Sequence, residues 1–409
     1  MKWYQRWARL AALNLLIVSS IGVILRYKIA FSLPIIDHKY LLYGHSHFAF
    51  NGWVSLALFT GIVACLNKHD EKPSPAYHWL FWLSQVASFG MLFTFPFMGY
   101  KLPSILFSTL AILFSYLFTA YAWKDFLKNR ISSLISRWFK AGLIFFCLSS
   151  LGAFYLAWLM ASRNLTQDLY IGSVYFFLHF QYNGWFLFAI FGLFFYQLNT
   201  FSVKLKENSP RFLYQLLIYT CLPAFLLSAL WMKLPNWLYW LATIAGWLQA
   251  LALLLLWRLI LPVWKQLKEN LHPVTRRLWQ LSFLALNIKF SLQALSTIPT
   301  LSHLAFGFRP LVIGYLHLVM LGFVSLFLIG YLIQQNFLSA RSRVAITGIV
   351  IFVTGVVINE ILLMAQGIAA IDDKSIPTVN DLLFGAALIM FGGLFCFLIV
   401  QWKNRKHLA

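Results

Sequence analysis

Three stretches of this sequence share a histidine, a glycine five residues on, and an aromatic residue directly after the glycine. They are His47-Phe48-Ala49-Phe50-Asn51-Gly52-Trp53, His179-Phe180-Gln181-Tyr182-Asn183-Gly184-Trp185 and His317-Leu318-Val319-Met320-Leu321-Gly322-Phe323. The first and third also share the tail Val-Ser-Leu, at residues 54–56 and 324–326, and a further histidine, His45, stands two places before His47. The anchors His47, His179 and His317 are 132 and 138 residues apart, an even spacing that predicts a threefold internal repeat. Imidazole at such positions suits the axial ligation of haem iron, copper or non-haem iron binding, proton relay, or a hydrogen bond between helices.

The elements that carry these residues are membrane helices. Apolar residues make up 61% of the 409 and charged residues 11%, a balance suited to lipid. Apolar runs long enough to cross about 30 Å of hydrocarbon fall near 8–30, 41–66, 78–98, 103–123, 139–161, 170–198, 212–232, 236–261, 278–299, 309–335, 344–368 and 380–402. Twelve spans divide into three sets of four, with repeat units near 1–137, 138–274 and 275–409 inside one transmembrane domain. Each anchor histidine then lies on the second span of its unit.

The net charge of +21 is not a nucleic-acid footprint, because its distribution follows the membrane. With the N-terminus inside, 23 Lys and Arg fall in cytoplasmic segments and eight outside, which places both termini in the cytoplasm. A bacterial inner membrane is the expected location. The first span, ending in Arg26 and Lys28, reads as a retained helix and not as a cleaved signal. Connections 122–139 and 257–278 are basic, contain Trp and Leu, and read as interfacial helices or loops. The four cysteines form no CxxCH, which excludes c-type haem attachment, and they read as small apolar core residues.

Within a straight α-helix, His45 and His47 diverge by about 200° and so face two neighbouring compartments. The glycine five residues after each anchor lies about 140° round, where it would let a neighbouring helix or a flat cofactor approach. Two further charges are deep in the membrane, Lys289 in span 9 and Glu360 in span 11. Their heights differ by roughly 9 Å, so a direct pair is not favoured, and a proton path or structural pairing is expected of them. His303 lies in the external connection between spans 9 and 10 and is a weaker ligand candidate.

Twelve helices with histidines on helices 2, 6 and 10, all toward the outer side, resemble subunit I of the haem-copper oxidase superfamily, which includes the bacterial nitric oxide reductases. The chain is also similar to the NnrS family of haem- and copper-containing membrane proteins linked to nitric oxide. The resemblance covers the whole chain in topology and the three motifs in residues. It implies an all-α fold of three pseudo-symmetric four-helix arcs, with low-spin haem b held by His47 or His45 together with His317. It would make His179 a ligand to copper, non-haem iron or a second haem, with Arg309 at the haem propionates. Span 7 lacks the adjacent histidines of the family's copper site, and span 6 has neither Asp nor Glu, so proton-pumping oxygen reduction is not expected. The expected work is redox chemistry or sensing of a small gas such as nitric oxide, with electrons from a cytochrome c or a quinol. Two other readings stay open: a secondary transporter with an intramembrane histidine site, and a haem or copper chaperone for a respiratory oxidase.

Overall fold

The computed structural model describes residues 2–67, 72–128, 131–206, 208–302, 309–371 and 374–403, and all the regular structure among them is helical. The main helices are α1 (Trp3–Phe31), α2 (His38–Leu66), α3 (Pro75–Met98), α4 (Leu102–Phe126), α5 (Ser133–Ala161) and α6 (167–200). They continue as α7 (Ser209–Cys221), α8 (Asn236–Ile260), the short α9 (Trp264–Asn270), α10 (Pro273–Leu295), α11 (Arg309–Gln334), α12 (Arg343–Ile371) and α13 (Val379–Lys403). Starts are fixed locally: the Asp37 carboxylate accepts from Tyr40 N at 2.9 Å ahead of α2, and Thr166 Oγ1 accepts from Leu169 N at 3.3 Å ahead of α6.

Nine helices among the described residues are long and apolar enough to cross a membrane, and a tenth forms if α7 and the 3₁₀ turn Pro223–Ala229, bent by 47°, are one span. Two expected spans are not in that set. The run at 170–198 is diluted by Gln181, Asn183 and Gln197, all buried inside the protein and not facing lipid. The run at 278–299 belongs to α10, which carries Arg276, Arg277, Asn287, Lys289 and Gln293. The basic stretch after Trp257 forms the end of α8, a 3₁₀ turn at Leu261–Val263 and α9.

The chain divides into two compact units. Unit 1 comprises Met1–Ala122, His272–Trp279 and Ser325–Ala409; unit 2 comprises Trp123–Leu271 and Gln280–Val324. In unit 1, α12 and α13 form a hairpin whose backbones nearly touch. A methyl group placed on Gly393 would lie 2.3 Å from Phe352 N, and one on Gly348 would lie 2.6 Å from Phe397 N. Small residues at such crossings are the usual means of packing helices where no hydrophobic effect drives them together. Also in unit 1, Asn14 of α1, Gly52 of α2 and Gln85 of α3 meet in one polar node. In unit 2, α5 packs on α6 in the same backbone-close manner, with a methyl on Gly184 falling 2.4 Å from Cβ of Phe145.

Candidate functional site

Each of the three sequence motifs is a change of helix type. In α2 the chain is α-helical over His38–His47, π-helical over Phe48–Ser55 and α-helical again over Leu56–Leu66. In α6 the same change separates Gln167–His179, Phe180–Phe186 and Leu187–Thr200. In α11 it separates Arg309–His317, Leu318–Ser325 and Leu326–Gln334. The anchor histidine is the last α-helical residue every time. Asn-Gly in the first two motifs favours the change, since both residues are poor α-helix formers, and π-helical turns recur at functional sites.

This geometry corrects the expected placement of the glycines. Hydrogen bonding from i to i+5 brings the fifth residue back toward the histidine's side of the helix, not about 140° away as in an α-helix. Two of the three glycines serve the approach of a neighbouring helix: Gly184 faces Phe145, and a methyl on Gly322 would lie 3.1 Å from Cβ of Ala285. Gly52 is closed over by the Phe48 ring of its own helix, which would lie 2.9 Å from a methyl placed there.

A π-helical stretch displaces backbone carbonyls from their α-helical partners, and inside a membrane such groups need a protein donor. All three stretches have one. Asn14 Nδ2 donates to Gly52 O at 2.6 Å, Cys221 Sγ donates to Asn183 O at 3.6 Å, and Ser282 Oγ donates to Phe323 O at 2.7 Å. The tail serine of the third motif is used as well: Trp53 Nε1 donates to Ser325 Oγ at 2.9 Å, and further along Cys65 Sγ lies 3.5 Å from Tyr331 OH. The second halves of α2 and α11, both in unit 1, are joined by these two contacts.

The histidines differ in what holds them. His317 donates from Nδ1 to the carbonyl of Ile313, one turn back on its own helix, at 2.8 Å. That bond places the proton on Nδ1 and leaves Nε2 as the lone-pair nitrogen, which is how a metal-ligating imidazole is commonly oriented. His47 stacks on Phe95, with ring centroids 4.6 Å apart and planes within 1°, and its Nε2 lies 3.2 Å from Tyr100 OH. Tyr100 is delivered by a tight turn at Gly99, whose φ of +57° and contact with the Tyr40 ring suit only glycine. His45 points toward α1, its Cε1 being 3.6 Å from where a Gly22 methyl would sit.

His179 is held by protein on both nitrogens. Nε2 donates to Cys221 O at 2.8 Å, and Nδ1 accepts from Asn183 Nδ2 at 3.0 Å. For this imidazole to bind a metal, one of those partners would have to be displaced. The donor set thus suits axial ligation at His317 and, with Tyr100 moved aside, at His47; His179 as it stands does not suit it. Among the described residues no three His, Cys, Asp or Glu side chains converge on a metal-sized space. His303 lies outside the described residues.

The remaining charges have separate surroundings. Arg309 opens α11 in an exposed position, two turns before His317. Lys289 is fully buried, donates to Gln293 Oε1 at 2.9 Å and sits 4.1 Å from the centre of the Phe290 ring. Glu360 accepts from Asn359 Nδ2 at 3.1 Å and feels the charge of Arg26. Sequence reasoning did not single out Asn14, Tyr100, Cys221 or Ser282. None is part of a repeat, and each acts on a motif from outside that motif's own helix: Asn14, Cys221 and Ser282 from neighbouring helices and Tyr100 from the connection between α3 and α4. No protein-family model matches this chain, and none of the curated proteins compared with it matches its sequence.

Proposed function

We propose that this chain is a b-type haem-binding integral membrane protein of twelve spans in three four-helix arcs, with redox or gas chemistry near the outer face of a bacterial inner membrane. The observation that carries this reading is the recurrence of one local design on α2, α6 and α11: a histidine closes an α-helical segment, and a π-helical stretch follows at once. Repetition at matched places favours one inherited local design, which holds a ligand at His47 and His317 and carries a polar bridge at His179.

In this reading His47 and His317 are haem ligands. The Nδ1–H of His317, anchored on Ile313 O, supports Nε2 as ligand. Phe95, stacked flat on His47, fixes the plane of that ring. Arg309 supplies positive charge for the propionates, and His179, satisfied by Cys221 and Asn183, keeps α6 and α7 together. Bound haem would supply an iron centre able to exchange one electron and, only where one of the two imidazoles gave way, to take a small gas such as nitric oxide. A cytochrome c or a quinol is the electron donor we propose.

The test is the reduced-minus-oxidised optical spectrum of the detergent-purified protein with pyridine haemochrome quantitation, for wild type, His47→Ala and His317→Ala. One or more haems per chain with a sharp low-spin b-type spectrum, lost in both variants, is the expected result. A colourless protein from cells supplied with haem would overturn the proposal.

A further inference from the structure

In unit 2, a cavity of about 390 Å³ opens between α5, the start of α6 and the 3₁₀ turn after α7. Its walls are apolar, formed by Leu151, Tyr155, Phe176, Phe225 and Met232. Pockets of this size are large enough for a specific ligand. Leu151 and Tyr155 are 53% and 45% exposed, so the cavity opens to the surface through apolar side chains. Its inner wall is firm: Phe176 and Phe225 pack edge to face at 5.2 Å, and Phe225 lies 5.9 Å from the ring of His179.

One lining residue is charged. Asp168, in the first turn of α6, sits at the rim, is exposed and has no ion-pair partner among the described residues. Its sequence neighbourhood and that of Met232 supply the opposite sign. Arg163 lies in the turn just before α6, and Lys233 directly follows Met232; both are exposed. An apolar slot with a carboxylate at its mouth, and cations close by in the chain, complements a molecule with an apolar body, an ammonium and a phosphate.

We propose that this cavity seats an acyl chain of a phosphatidylethanolamine, with its primary ammonium on Asp168 and its phosphate toward Arg163 and Lys233. A charge-assisted N–H···O bond at the edge of a low-dielectric region gives the head its selectivity. The acyl chain lies against Phe176 and Phe225 and braces the aromatic wall behind which His179 is buried.

Gly172 provides a clean block. It lines the cavity, and a methyl placed on it meets nothing within 4 Å, so Gly172→Leu fills the slot without disturbing α6. The full chain is delipidated and placed in phosphatidylglycerol nanodiscs containing phosphatidylethanolamine or phosphatidylcholine, and the lipid retained on release is measured by native mass spectrometry beside the melting temperature. Wild type should retain phosphatidylethanolamine about tenfold over phosphatidylglycerol. Phosphatidylcholine, whose head has no N–H, should be retained less well than phosphatidylethanolamine. Asp168→Asn should remove the preference, and Gly172→Leu should abolish retention with the lipid-free melting temperature unchanged. Equal retention of the two lipids by wild type, or a preference that survives both substitutions, would overturn the proposal.

Discussion

Replacing Asn14 with leucine tests whether the π-helical stretch of α2 depends on an external donor. Leucine has nearly the shape of asparagine, so packing changes little and the loss is one of hydrogen bonds. Asn14 is 1% exposed and its Nδ2 donates twice, to Gly52 O at 2.6 Å and to Gln85 Oε1 at 2.9 Å. A buried acceptor left bare costs about 1–3 kcal/mol. Two opposing considerations set the net value. Interhelical hydrogen bonds in membranes average about 0.6 kcal/mol, because freed groups often find new partners. Gln85 can rotate to do so, but the Gly52 carbonyl is fixed in the backbone and cannot. The expected destabilisation is therefore about 2–3 kcal/mol, most of it from that carbonyl. Ser282→Ala, which strips one donor from Phe323 O at 2.7 Å, should cost about 1 kcal/mol. Reversible unfolding in mixed micelles gives both values. A loss below about 0.5 kcal/mol for Asn14→Leu would refute the idea that the π-helical stretches need outside donors.

Three further outcomes are expected. His179→Ala should leave Cys221 O and Asn183 Nδ2 unpaired and destabilise the protein by about 2–4 kcal/mol, while any haem spectrum stays unchanged; a shifted spectrum at unaltered stability would make His179 a ligand instead. Gly393→Leu should separate α12 from α13, since even a methyl would meet Phe352 N at 2.3 Å, and cost about 3 kcal/mol in the same unfolding assay. His272, between α9 and α10, accepts from Val274 N on Nδ1, and burial, then Arg341, lower its pKa from the ordinary histidine value. Folding thus favours its neutral form: this contribution is complete above the ordinary histidine range and is lost as pH falls through it. Melting temperatures measured across that range should fall less in His272→Asn than in wild type.

The motifs were legible because histidine, glycine and tryptophan stand out in a lipid-facing composition and recur at even spacing. What they do to the backbone was not. A period of 3.6 was assumed through His47 to Ser55, and nothing in a residue count distinguishes i to i+5 bonding from it, although Asn51-Gly52 and Asn183-Gly184 in mid-span were a hint. The local partners of the two buried charges, Gln293 and Phe290 for Lys289 and Asn359 for Glu360, lie within four residues and are readable along the chain, whereas Arg26 comes to Glu360 from another helix, which a linear reading cannot supply. Tyr100 was unreadable for a similar reason. It reaches His47 only because Gly99 turns the chain back at positive φ.

The wide turns also bear on how such a chain can change over generations. Inserting or deleting one residue in an α-helical span rotates everything beyond it by about 100° and misdirects a whole face. Within Phe48–Ser55, Phe180–Phe186 or Leu318–Ser325 a lost residue could instead be absorbed by tightening the turn back to α. The segment ahead of each histidine and the segment behind each π-helical stretch are thereby released from a common rotational phase. Descendants of this chain can re-aim one end of α2, α6 or α11 while the packing of the other end is inherited unchanged.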